Sequence, residues 1–214
     1  MVDISPVHSV FIGCGSGSKV SPELILDNLE ANILVVWSRD RSRRLLLISV
    51  DTLFLGRVAS EEIVAGLAPE FKSDEIFLAA THTHTAPMVD ETKPNLGKVN
   101  SEYRQFVTQQ IIDTGLVLAR QEPIKANMYV WDADISGVVS RRNKRFLSVS
   151  RNGIRANSIL QRPLLSAPKL IPQARMAEFV DAHGVALATL AVVPCHAVAY
   201  MGLESISADI PGGM

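Results

Sequence analysis

The sequence predicts an α/β protein: a mixed, partly parallel β-sheet with crossover helices, in a single domain. Three observations lead there. Four apolar, β-branched runs, Ile33 to Trp37, Leu45 to Val50, Ile76 to Ala80 and Val185 to Val193, each end at polar or turn-forming residues and read as buried strands. Val58 to Leu67 and Ser101 to about Arg120 carry apolar residues at helical spacing. From Leu45 to Trp131 the order is strand, helix, strand, helix, strand, which calls for crossovers and parallel neighbours.

Taken in order, Val7 to Ile12 is a weaker strand candidate ahead of Gly13. In the first helix Ser60 is the expected N-cap, with Glu61 and Glu62 in the first turn and Ile63, Val64 and Leu67 on one face; Gly66 weakens it. The second helix is expected to start on a Ser101 cap with Glu102 at the positive dipole end. Its stripe of Tyr103, Phe106, Val107, Ile111, Val117 and Leu118, interrupted by Gln110 and Thr114, should cover a sheet face with its Phe106 side. Lys125 to Trp131, with alternating Ala126, Met128 and Val130, is a further strand candidate. Leu45 to Val50 and Ile76 to Ala80 should be neighbours, crossed over by the Val58 helix.

With 214 residues, 47% hydrophobic and 20% charged, the chain can bury a substantial core. A net charge of -1 gives no strong basic field for nucleic acid or an anionic membrane, although Arg39 to Arg44 and Arg141 to Arg145 are local basic clusters. Cys14 and Cys195 make neither a disulfide framework nor a paired-cysteine zinc signature. No basic head precedes a long apolar run, so neither a signal peptide nor a membrane span is expected, and the expected location is cytoplasmic. Gly13-Cys14-Gly15-Ser16-Gly17-Ser18-Lys19 fits neither the Walker nor the dinucleotide spacing and reads as a turn.

Ligands of open α/β sheets bind beyond the carboxyl ends of the strands. Asp51, the pair His82 and His84, Arg141 with Arg142, and His196 all follow expected strands closely; His8 and His183 do not. In Thr81-His82-Thr83-His84 an extended backbone would turn both imidazoles to one face, where they could approach one zinc ion. Taken alone, the same pair could equally make surface hydrogen bonds. His196 lies in the apolar stretch Val192 to Val198, where burial would favour the neutral, metal-binding ring or a core histidine bonded to a carbonyl. Asp51 closes a strongly apolar strand and is read as a partner orienting a histidine, or as a turn carboxylate. One of Arg141, Arg142, Lys144 and Arg145 could stabilise an oxyanion.

Four landmarks give the chain a resemblance to the N-terminal part of the neutral/alkaline, non-lysosomal ceramidase family. They are Ser49-Val50-Asp51, the block Ala80-Thr81-His82-Thr83-His84-Thr85-Ala86-Pro87, the loop Gly137-Val138-Val139-Ser140-Arg141-Arg142, and Pro194-Cys195-His196 followed by Ile206 to Gly212. The resemblance implies a zinc-dependent amidase acting on a ceramide-like, N-acylated substrate through a metal-activated water. It implies His82 and His196 as zinc ligands, His84 acting on the reacting oxygen or leaving nitrogen, and Arg141 on the substrate or its developing charge. Ala86, Ser140 and Arg142 depart from the family pattern. The family's other ligands, a glutamate and a tyrosine, lie downstream of the stretch that here runs to Gly212-Gly213-Met214. The expectation is therefore an incomplete catalytic domain over residues 1–214. A missing C-terminal region or a second copy would complete it, or Asp51 and Asp209 would substitute as oxygen ligands. Two other functions stay open: an inactive metal-binding or interaction module, and a metallohydrolase of a small polar amide or ester, which the 6% aromatic content suits.

Overall fold

The computed structural model describes residues 1–13, 19–135, 144–150, 153–159 and 173–213. They form two compact units, Met1–Pro123 with His196–Met214, and Ile124–Cys195.

The first unit holds β1 (Val2–Asp3), β2 (Val10–Phe11), β3 (Lys19–Val20), β4 (Glu30–Trp37), β5 (Arg44–Val50), α1 (Gly56–Leu67), β6 (Ile76–Ala80), α2 (Ser101–Ala119) and the short α3 (Asp209–Gly212). Its main sheet has the order β1-β4-β5-β6. β4 and β5 are an antiparallel hairpin, whereas β5 and β6 run parallel from Leu46 opposite Ile76 to Val50 opposite Ala80. The chain between that parallel pair passes through α1, the expected crossover, so the mixed α/β class and this adjacency hold as expected. β2 and β3 pair separately, so the Val7 to Ile12 run yields only a two-residue strand.

Alternation explains the core. Leu46, Ile48 and Val50 are buried at two-residue spacing on β5, and Ile63 and Leu67 of α1 join them in one core cluster. Each fully buried side chain of this kind stabilises by about 1.5–3 kcal/mol. α2 buries Tyr103, Val107, Ile111 and Gly115, a four-residue repeat, while Phe106 is only half-buried at the edge of the core. The covering face is thus centred on Val107 instead of Phe106. The caps also differ from expectation. Asn100, not Ser101, caps α2 by accepting the Tyr103 N–H at 3.1 Å, and α1 starts at Gly56 without a side-chain cap. Among the described residues no helix is long and apolar enough to cross a membrane.

Gly66 has a packing reason to be glycine, since a Cβ there would stand 2.4 Å from Ile112 Cδ1 on α2. Gly66→Val is expected to lower stability by about 1–3 kcal/mol through overpacking. A thermal unfolding midpoint equal to wild type would contradict that reading of the helix contact.

The second unit holds β7 (Asn127–Asp134), β8 (Lys144–Ser150), β9 (Gly153–Ile159), β10 (Gln173–Val180) and β11 (Ala186–Val192). β8 and β9 form a hairpin; β7 and β11 flank β10 antiparallel on both sides. The Lys125 to Trp131 and Val185 to Val193 runs are therefore strands, but neither belongs to the parallel pair's sheet. Nor are they buried. Met128, Val130, Trp131, Leu187 and Val192 are exposed, as antiparallel sheets, unlike parallel ones, tolerate a face open to water.

Candidate metal centre

Because β5 and β6 are parallel, the chains leaving them start side by side. Thr81 N–H donates to the Val50 carbonyl at 3.0 Å and His82 N–H to the Thr52 carbonyl at 3.1 Å. His82 then takes φ 67°, a left-handed conformation uncommon for a non-glycine residue. This turn, not the extended run expected from the sequence, brings the two imidazoles together, with ring centroids 4.9 Å apart and planes at 88°. His82 Nδ1 lies 2.9 Å from the Leu53 carbonyl oxygen, which can only accept. The ring therefore donates Nδ1–H there and keeps the Nε2 lone pair for an electrophile.

The threonines of the same segment do different work. Thr83 and Thr85 are fully buried, and both hydroxyls donate to the Ser207 carbonyl at 2.9 Å. They pin the histidine segment to the chain just before α3. Sequence reading missed them, although the two-residue alternation of histidine and threonine was the available signal.

His196 reaches the site from the loop that follows β11. His84 N–H donates to the Ala197 carbonyl at 3.3 Å, and His84 Nε2 lies 2.9 Å from His196 Nε2. The His82 and His196 rings are nearly parallel, 5.1 Å apart at 16°, whereas His84 stands edge-on to His196 at 4.7 Å and 77°. One ligand atom from each of the three lies within 4.8 Å of the others. Two nitrogens bound to one tetrahedral zinc stand about 3.3 Å apart, given bonds of about 2.0–2.1 Å. The donor set and its spacing thus suit a single ion after small ring rotations. His196 itself is exposed, contrary to expectation, because the chain has left the sheet at Val192. Phe54 packs edge-on against His82 at 5.0 Å, and Lys93 Nζ lies 5.0 Å over the Phe54 ring. Neither was singled out by the sequence.

Asp51 is buried, and its carboxylate accepts the Glu30 N–H at 3.0 Å while its own N–H donates to the Glu30 carbonyl at 2.9 Å. Burial pushes its carboxyl up to about 6; the Glu30 N–H and the Thr81 side chain pull it back, and the Glu30 and Asp27 carboxylates raise it further. Its hydrogen bonds tie β4 to the end of β5. Asp209, in the left-handed conformation at φ 60°, accepts the N–H groups of Ala199 at 3.1 Å, Tyr200 at 3.0 Å and Ile210 at 2.7 Å. Arg141 and Arg142, like residues 14–18 of the glycine-rich turn, lie outside the described residues.

No family model and no curated protein matches the sequence. Among solved structures, the chain is similar to neutral ceramidase from Pseudomonas aeruginosa, with a TM-score of 0.68 at 18% identity over 98% of this chain and 33% of that one. A ceramidase complexed with C2 gives a TM-score of 0.70 at 18% identity, over 98% of this chain and 32% of that one. The chain thus spans about a third of the length of these solved chains and shares their fold over nearly its whole length.

Proposed function

We propose that the chain carries the histidine centre of a ceramidase-like, zinc-dependent hydrolase that cleaves the amide bond of an N-acylated substrate. The observation that carries this is the convergence of His82, His84 and His196 at the end of the parallel strand pair, in a fold shared with ceramidases. His82 and His196 are the metal ligands in this reading. Zinc, when bound, would lower the pKa of a water and polarise the scissile carbonyl.

The protein's own side chains supply the rest. The Leu53 carbonyl fixes the His82 tautomer and ring orientation, as partners of ligating histidines do. His84 is the proton-transfer group in this reading: its Nε2 lies 2.9 Å from His196 Nε2, which sets it beside the position where a metal held by His196 would stand. Its ring orientation, edge-on to a nearly parallel pair, sets it apart from the other two. Phe54 packs edge-on against His82 and the Lys93 ammonium stands over the Phe54 ring, so an aromatic face and a cation adjoin the His82 side of the centre.

With the chain extended to the complete catalytic domain that the resemblance implies, titration of metal-free protein with zinc should saturate at about one equivalent per chain, and the loaded protein should release fatty acid from a short-chain N-acyl sphingoid amide. Small polar amides and esters run in parallel define the substrate class. Absence of stoichiometric zinc binding would end the metallohydrolase reading.

A further inference from the structure

His196 sits on a stretch with no helix or strand, between β11 and α3, yet a ligand must be held to within a fraction of an ångström. Local turns contribute: Val198 N–H donates to the His196 carbonyl at 2.9 Å, and His84 N–H to the Ala197 carbonyl at 3.3 Å. The next two residues, Ala199 and Tyr200, are exposed, and both of their N–H groups point into one carboxylate, that of Asp209.

We infer that Asp209 is a positioning residue for the metal centre, a buried clamp that sets the His196 loop against the His82–His84 segment. The inference rests on the proposed metal reading for its consequence, though not for its geometry. Asp209 is itself locked from behind. Its N–H donates to Ser207 Oγ at 2.8 Å, the Ser207 hydroxyl donates to Asp27 Oδ2 at 2.6 Å, and Asp27 Oδ1 accepts the Ala208 N–H at 2.5 Å. Gly212 leaves the space for this, since a Cβ there would come within 2.9 Å of Asp27 Oδ1. The Ser207 carbonyl takes the Thr83 and Thr85 hydroxyls. The Asp27–Ser207–Asp209 network thus grips both histidine-bearing segments at once. Both Asp209 oxygens are engaged by backbone N–H groups, which accounts for the carboxylate without making it a ligand.

The left-handed backbone at Asp209 selects the test variants. Asparagine tolerates φ 60° but turns one acceptor oxygen into a donor that faces N–H groups; glycine accepts φ 60° freely and removes the carboxylate altogether. In metal-free Asp209→Asn, amide exchange at Ala199 and Tyr200 should accelerate at least about tenfold, and the NOE between the His84 and His196 rings should weaken or vanish. Zinc affinity should fall about 10–100-fold, the range for partners that orient ligands. Asp209→Gly should show the same pattern and serves if the asparagine variant folds poorly. Faster exchange with the ring NOE and zinc affinity unchanged would overturn the proposal. So would lost zinc affinity with both amides still protected, which would make Asp209 a ligand. Wild-type protein that binds no zinc would sink the metal reading alone, and the clamp would then stand or fall on the ring NOE.

Discussion

His82→Asn is expected to leave the protein folded and to cost more than about 100-fold in zinc affinity, beyond the 10–100-fold typical of partners outside the coordination sphere. Asparagine is chosen because it tolerates the left-handed backbone at this position, where alanine would add strain to the lost ligand. His84→Gln should behave differently. If His84 moves protons and does not hold the ion, zinc affinity should stay within about tenfold of wild type while amide hydrolysis falls about 10²–10⁴-fold, the usual contribution of a positioned acid–base group. Parallel measurements of zinc affinity and N-acyl amide turnover on both variants decide the assignment. Equal loss of zinc in the two variants would make His84 the third ligand and remove its proton-transfer role.

The parallel pair β5 and β6 and their crossover were legible because parallel strands of α/β sheets read as continuous apolar runs, and Leu45 to Val50 and Ile76 to Ala80 are such runs, although β5 buries only alternate residues and β6 is only partly buried. β10 was not, because Gln173–Val180 mixes Arg175 and Glu178 with apolar residues. The structure resolves the charge by setting Arg175 directly opposite Asp132 of β7, with Nε 2.9 Å from Oδ1. The β8–β9 hairpin left a usable signal, an Asn152-Gly153 dipeptide between two runs, that periodicity of apolar residues does not detect. At the centre, the histidines stood out by residue type and by their place after strands. Their supports did not, because the Leu53 and Ser207 groups that orient them are backbone carbonyls, which any residue offers. The φ of 67° at His82 was equally hidden: it is imposed by the Val50 and Thr52 carbonyls that anchor the turn, contacts about 30 residues apart in sequence.

Stability should carry a pH signature from Asp51, readable as the difference between wild type and Asp51→Asn. The folded chain holds this carboxyl up to about 6 against an ordinary value of 3.8, mainly because burial disfavours the charge. Between those values the folded state binds more protons than the unfolded one, so this group's contribution to stability declines as pH rises through the window. The loss is complete above about pH 6 and amounts to about 3 kcal/mol, at about 1.36 kcal/mol for each pKa unit. Asparagine keeps an oxygen for the Glu30 N–H and has no charge to bury, so it escapes the loss. Urea midpoints of metal-free protein should therefore favour Asp51→Asn increasingly from pH about 4 to 7, while the remaining carboxylates cancel in the comparison. A difference that stays flat, or wild type gaining on the variant as pH rises, would show that the Asp51 carboxylate is solvated or paired more strongly than its burial implies. If the effect has the expected sign, a destabilising charge sits where β5 ends and the chain turns toward Thr52, whose carbonyl holds the His82 N–H. The Asp51→Asn protein would then show whether that charge also contributes to zinc affinity, since its fold would be more stable and its three histidines intact.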